Sequence, residues 1–159
     1  MKKYSLTRLA RLSIVASVYV VLTLVFGFMS FGGIQFRIAE ALMLLCFYKK
    51  DYGASLIVGC LIANMFSPMA ALDMVFGTLA TAIAVLLIYI SPNIYVASFA
   101  PVITNAFIIA AELKYAFDLP YWLSAFQVAF GEFVCVTILG VILFKSLEKN
   151  RRFMELITK

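Results

Sequence analysis

The feature that most constrains this chain is its succession of long apolar runs, interrupted only by short polar or Pro/Gly-containing breaks. The stretch from Met74 to Ile90 carries no charged side chain. Lipid offers no hydrogen-bond partner to a free backbone group, so a run of this kind crosses a membrane as a helix or as part of a closed barrel. The alternating pattern of barrel strands is missing, which leaves helices. Composition agrees: 65% of the 159 residues are hydrophobic and 13% are charged, against about 45–50% and 25% in soluble domains. A chain this short cannot bury that much apolar surface inside itself. The expected fold is therefore an all-α membrane protein. At ~20 residues per span the length fits about six transmembrane helices, so residues 1–159 form a single integral membrane domain.

The breaks place the spans. Span 1 is roughly Leu12–Phe28, followed by the loop Met29-Ser30-Phe31-Gly32-Gly33-Ile34-Gln35. Span 2 runs over Phe36–Tyr48 and stops at Lys49-Lys50-Asp51-Tyr52-Gly53. Span 3 covers Ala54–Phe66 before Ser67-Pro68, and span 4 covers Leu72–Ile90 before Ser91-Pro92-Asn93. Span 5 is Tyr95–Phe117, closed by Asp118-Leu119-Pro120, and span 6 is Tyr121–Phe144, ahead of a basic tail. Spans 2 and 3 are short for a ~30 Å hydrocarbon layer.

Basic residues collect on the cytoplasmic side of membrane proteins. With the N- and C-termini cytoplasmic, Lys2, Lys3, Arg8, Arg11, Lys49, Lys50, Lys145, Lys149, Arg151, Arg152 and Lys159 lie inside, and only Arg37 and Lys114 lie outside. This distribution accounts for the net charge of +5, so no nucleic-acid partner is called for. Lys2 and Lys3 ahead of an apolar stretch have the look of a signal peptide. No small-x-small cleavage site precedes a soluble mature chain, and the segment is read as span 1.

Several chemistries are excluded. The chain has no histidine, which removes Ser-His-Asp triads, Glu-x-x-His di-iron sites and His-ligated zinc. Cys46, Cys60 and Cys135 are odd in number, apolar in setting and without CxxC spacing, so neither a disulfide framework nor a thiolate metal site is indicated. No metal or cofactor is expected. The phosphate-binding pattern GxxxxGK[ST] is also missing, so any ATP-driven work must draw on another chain.

The informative residues are the polar ones within the spans, because a charge at mid-bilayer costs at least ~2.5 kcal/mol and tends to mark function. They are Arg37 and Glu40 on span 2, Asp73 at the head of span 4, Glu112 on span 5 and Glu132 on span 6, joined by Gln35, Asn64, Asn105 and Gln127. Most fall in the outer half of the bilayer and sketch an outward-opening polar pocket. Glu132 is the deepest, ~16 Å from the outer end of its span. Arg37 and Glu40, three apart, share a helix face, and Asn105 and Glu112 share a stripe two turns long.

Each has a structural alternative. Arg37 with Glu40 is also readable as an interfacial ion pair, Asp73 as an N-cap, and Glu112 as a carboxylate solvated beside Lys114. Asn64 and Asn105 are readable as helix-to-helix hydrogen bonds, and Gly77 and Ala80 as points of close helix approach. Glu132 has the weakest alternative, since its only basic neighbour is Arg37. Tyr121 and Trp122 stand where a planar ligand can stack. Together, carboxylates and carboxamides can read a guanine-like edge, the acid accepting from adjacent N–H groups and the amide bonding a carbonyl. The set favours a neutral or cationic planar ligand over an anion.

An ordered series of segments carries a resemblance: Gly33-Ile34-Gln35-Phe36-Arg37-Ile38-Ala39-Glu40-Ala41-Leu42, Gly59-Cys60-Leu61-Ile62-Ala63-Asn64, Leu72-Asp73-Met74-Val75-Phe76-Gly77-Thr78-Leu79-Ala80-Thr81, Pro101-Val102-Ile103-Thr104-Asn105-Ala106 and Gln127-Val128-Ala129-Phe130-Gly131-Glu132. In this order and spacing the chain, from about Ser13 to Gly140, resembles the QueT family, substrate-binding S components of energy-coupling factor (ECF) transporters that take up queuosine precursors. The resemblance implies a six-helix, multi-pass plasma-membrane protein that captures a 7-deazaguanine such as preQ1, preQ0 or queuine from outside. A transmembrane T component and two ATPases would drive release inside. It carries the binding-site candidacy onto Gln35, Arg37, Glu40, Asn64, Asp73, Asn105 and Glu132, with Glu112 added from the reading above. It places Ser13, Ala16 and Ser17 of the first helix against the T component. Serines where alanine is usual, and Leu45-Cys46 where Leu-Pro is common, depart from the family pattern.

Two other classes use the same residues differently. A self-sufficient secondary carrier or small cation channel can run the acids as an ion relay, and inverted repeats would favour it; none is visible. A membrane enzyme would need a metal held by carboxylates alone.

Overall fold

The breaks expected at Ser67-Pro68, Ser91-Pro92-Asn93 and Asp118-Leu119-Pro120 are breaks in the computed structural model, which describes residues 6–30 and 34–158. Lys2, Lys3 and Lys159, and Phe31-Gly32-Gly33 of the first loop, lie outside the described residues. Helix α1 is Leu6–Val25, followed by a helical turn at Gly27–Ser30. Then come α2 (Ile38–Tyr48), α3 (Tyr52–Asn64), α4 (Ala70–Tyr89), α5 (Ile94–Phe117), α6 (Tyr121–Leu147) and a short tail helix α7 (Arg151–Thr158). No strand occurs among the described residues. Four of the helices, α1, α4, α5 and α6, are long and apolar enough to cross a membrane, while α2 and α3 are shorter apolar helices.

Local chemistry sets the helix ends. The Asn93 side chain accepts a bond from the Val96 N–H at 2.9 Å and caps α5. At the other end of α5, Asp118 adopts the left-handed conformation (φ 52°) and its N–H returns to the Lys114 carbonyl, a common helix stop.

Helix α2 lies in the middle of the bundle, against α1, α3, α5 and α6, and buries Ala39, Glu40, Ala41, Met43 and Leu44. Its first seven residues, Ile38–Leu44, are wound as a 3-10 helix. At ~2.0 Å of rise per residue against ~1.5 Å in an α-helix, this stretches an eleven-residue element to about 20 Å. The helix rewinds as α at Leu45 and continues through Cys46 to Tyr48. Facing it, α6 is wide where α2 is narrow, with a π-helical stretch at Phe133–Gly140 immediately after Glu132. Two glycines on α6 permit the close approach. A methyl group on Gly131 would collide with the Gln35 carbonyl, and one on Gly140 would stand 3.1 Å from a Leu44 methyl.

The N-terminal part of α1, the 49–51 turn and the tail gather at one end. Arg8 pairs with Asp51 there, and Arg11 donates to the Leu156 carbonyl at 2.8 Å. Lys49 and Tyr52 donate to the carbonyls of Thr158 and Ile157. Tyr89 reaches the Lys50 carbonyl at 2.6 Å, which brings the α4–α5 turn to the same end. Glu148 accepts from both Lys145 and Tyr48, and these donors hold its carboxyl below the usual carboxylate range. The α3–α4 and α5–α6 connections lie at the opposite end, where Lys114 pairs with Asp118 at 3.7 Å. The basic tail was expected only as a tail; its apolar face, Phe153, Met154 and Ile157, packs on the core and folds it into α7.

Candidate functional site

The eight residues singled out as binding candidates are all buried, and none is more than 6% exposed. They converge from five elements. Gln35 and Arg37 come from the approach to α2, and Glu40 from its 3-10 turn. Asn64 stands at the end of α3, Asp73 in the first turn of α4, Asn105 and Glu112 on α5, and Glu132 on α6. The cluster is closed over in this structure.

Hydrogen bonds divide it into linked parts. The Arg37 guanidinium donates to Asn64 Oδ1 at 2.8 Å. The Asn64 amide donates to the Asp73 carbonyl at 2.8 Å and to Cys60 Sγ at 3.4 Å. Gly77 leaves the room this needs, since a Cβ there would lie 2.7 Å from Asn64 Nδ2 and 3.8 Å from Arg37 Nη1. On the far side, Asn105 Nδ2 donates to Glu132 Oε1 at 2.8 Å and joins α5 to α6. Glu40 accepts from the phenol of Tyr19 on α1. Ser67 donates to Asp73, and the same Ser67 oxygen accepts from the Met69 N–H at 3.1 Å.

This geometry decides several alternatives. Arg37 and Glu40 do not form an ion pair, because Glu40 is bonded to Tyr19 and Arg37 to Asn64. Met69 occupies the N-cap position of α4, so Asp73 is not the cap. Glu112 is fully buried and not solvated beside Lys114. Asn64 does bridge helices, and both ends of its amide are engaged. The room beside Gly77 is filled by that same amide, in favour of the packing reading for this glycine. Trp122 is 75% exposed and Tyr121 donates to the Phe107 carbonyl, so neither ring is held against the acids.

Five acceptor atoms of the cluster have no donor among the described residues: Glu40 Oε2, Asn105 Oδ1, both oxygens of Glu112, and Glu132 Oε2. All are buried. Such atoms are rare in folded proteins and each is costly. Their common character is that they accept, so what satisfies them must donate.

Two residues outside the predicted set take part. Tyr19 sits in an apolar run with nothing in the sequence to single it out, yet it is the donor to Glu40. Ser67 reads as a helix stop beside Pro68, yet it holds Asp73. On the outer face of α1, Ser13 and Ser17 line a groove of about 370 Å³ with Ile14, Val18, Val21 and Leu22. Ala16 points the other way in packing terms, its backbone lying against Gly59 of α3.

Comparison with known proteins agrees with the family resemblance read above. The QueT transporter family model matches residues 9–149. The chain is 32% identical over 173 aligned positions to the queuosine precursor transporter QueT of Lactococcus lactis subsp. cremoris (strain MG1363), covering 94% of this chain and 97% of that protein. No solved structure matches the chain significantly.

Proposed function

The chain belongs to the QueT transporter family, and from that premise we propose that it is the substrate-capture subunit of an ECF importer, binding a 7-deazaguanine queuosine precursor. As a member of a transporter family built from apolar helices, it is a membrane protein that handles a small-molecule ligand and is not an enzyme. The ligand in this proposal is preQ1, preQ0 or queuine, taken from outside the cell.

The observation that carries the reading is the set of donor-less acceptors on Glu40, Asn105, Glu112 and Glu132. The pyrimidine edge of a deazaguanine presents adjacent N–H donors, which is what paired acceptor oxygens require. Arg37 and Asn64 support the site by fixing one another and the head of α4. Gln35 sits where α6 closes on the approach to α2.

In the same proposal the chain, residues 1–159, is a single integral membrane domain that crosses the plasma membrane six times with both termini in the cytoplasm. Gathering of the basic turns and tail at one end of the bundle favours that orientation. Helices α2 and α3 then cross as short elements surrounded by longer ones. With no nucleotide-binding pattern in the chain, a T component and two ATPases supply the coupling. Ser13, Ala16 and Ser17 are the proposed T-component contact; the first two serines of α1 are its exposed members.

Uptake of labelled preQ1 by cells expressing this chain, with and without the T component and ATPases, tests the proposal. Uptake only with the module supports it. Uptake by the chain alone would establish a secondary carrier instead.

A further inference from the structure

The buried cluster holds four carboxylates, Glu40, Asp73, Glu112 and Glu132, and one cation, Arg37. Three of the acids are provided for: Glu40 by Tyr19, Asp73 by Ser67 and Glu132 by Asn105. Glu112 is not. It is fully buried, both its oxygens lack a donor among the described residues, and its carboxyl lies against that of another acid, Asp73. Arg37 is turned to Asn64, and among the described residues it makes no ion pair with any of the four. Two carboxyls in contact cannot both stay ionised in a low-dielectric site unless a cation comes between them; otherwise one of them must hold a proton.

An opening lies beside this pair. A cleft of about 430 Å³ is lined by Pro68 to Leu72 at the head of α4 and by Ala116 and Phe117 at the end of α5. Leu72 precedes Asp73, and Ala116 stands four residues, one helical turn, past Glu112. The cleft is at the end of the bundle that carries Lys114 and Asp118, opposite the basic tail.

We infer that Asp73 and Glu112 form a subsite for an ammonium group, so that the site selects a ligand whose side arm carries a protonated amine. The inference rests on the 7-deazaguanine reading above and names which members of that class fit. An ammonium brings three donors and a full positive charge. It can donate to both Glu112 oxygens and lets both acids stay ionised, taking the place of a shared proton. PreQ1 carries an aminomethyl arm and is a cation at neutral pH; the nitrile arm of preQ0 has neither charge nor donor. The rings are otherwise the same, which makes the pair a direct probe of the subsite.

The test is equilibrium titration of the full chain, purified in detergent, with preQ1 and with preQ0 at one pH and ionic strength. PreQ1 is expected to bind at least about ten-fold more tightly, the effect of one charge-assisted hydrogen bond. In Glu112→Gln the ratio of the two affinities is expected to fall toward one, preQ1 losing more than preQ0. Asp73→Asn gives the same comparison should Glu112→Gln not fold, and the unmodified protein needs no variant at all. Equal affinities for the two ligands, or an unchanged ratio in folded Glu112→Gln, would overturn the ammonium subsite while leaving the deazaguanine reading in place. Binding of neither ligand would remove both.

Discussion

The phenol of Tyr19 donates a hydrogen bond to one carboxylate oxygen of Glu40, so α1 is tied directly to the buried acid on α2 whose other oxygen has no donor. Tyr19 is itself fully buried, and Gly59 of α3 packs against its Cβ. Tyr19→Phe keeps the ring and removes the donor. It should destabilise the protein by about 1–3 kcal/mol, because a buried carboxylate oxygen is left unpaired. Thermal unfolding in detergent reads this, and unchanged stability would show that the bond is not formed.

At Gly131 helix α6 meets the approach to α2 and at Gly140 it meets α2 itself, and the two differ in what a methyl group would strike. At Gly131 it meets backbone, the Gln35 carbonyl; at Gly140 it meets a Leu44 methyl, which can turn aside. Gly131→Ala should therefore cost about 1–3 kcal/mol, the range for overpacking, and Gly140→Ala clearly less. Melting temperatures of the two variants side by side check the order. A reversed order would mean that α6 does not close on the approach to α2 at Gly131.

Orientation is testable with cysteines in a background lacking Cys46, Cys60 and Cys135. Asn93 and Lys149 lie at the end of the bundle with the basic turns, and Asp118 lies at the other. Cysteines at 93 and 149 should resist a membrane-impermeant thiol reagent in intact cells, while one at 118 should react. Labelling at 149 from outside would invert the proposed topology.

Ser17 lines the groove on the outer face of α1, away from the acid cluster. A bulky side chain there blocks close helix approach. Ser17→Trp is expected to keep preQ1 affinity near that of the unmodified protein while losing module-dependent uptake and co-purification with the T component. Normal uptake by Ser17→Trp would move the proposed contact off this face of α1.

Much of the architecture was legible because Pro68, Pro92 and Pro120 punctuate the apolar runs; the ends of α4, α5 and α6 fall within a few residues of those read from sequence. The start of the first span was less legible. Among the described residues helix α1 already runs through Leu6 to Leu12, where Arg8 pairs with Asp51 and Arg11 with the tail. Convergence of Arg37, Asn64 and Asp73, and of Asn105 with Glu132, was foreshadowed only by their shared polarity in apolar surroundings. The parting of Asn105 and Glu112 to different neighbours was not, since a common stripe on α5 says nothing of what α4 and α6 bring to it. The 3-10 winding of α2 and the π-helical stretch of α6 were also invisible, because apolar periodicity does not separate these windings from an α-helix. Tyr19 and Ser67 escaped notice because a phenol in an apolar run and a serine before proline each have commoner structural uses.

Glu132 gives the most direct test of the central claim, that the buried acceptors hold a 7-deazaguanine. It is fully buried, one oxygen takes the Asn105 amide and the other has no donor among the described residues. Equilibrium titration of the purified chain and of Glu132→Gln with preQ1 measures what that free oxygen contributes. The expected result is saturable binding by the unmodified protein and a loss of about 1.5–3 kcal/mol in Glu132→Gln, the scale of a hydrogen bond to a charged group. Undiminished affinity in a folded Glu132→Gln would contradict it and place the ligand elsewhere.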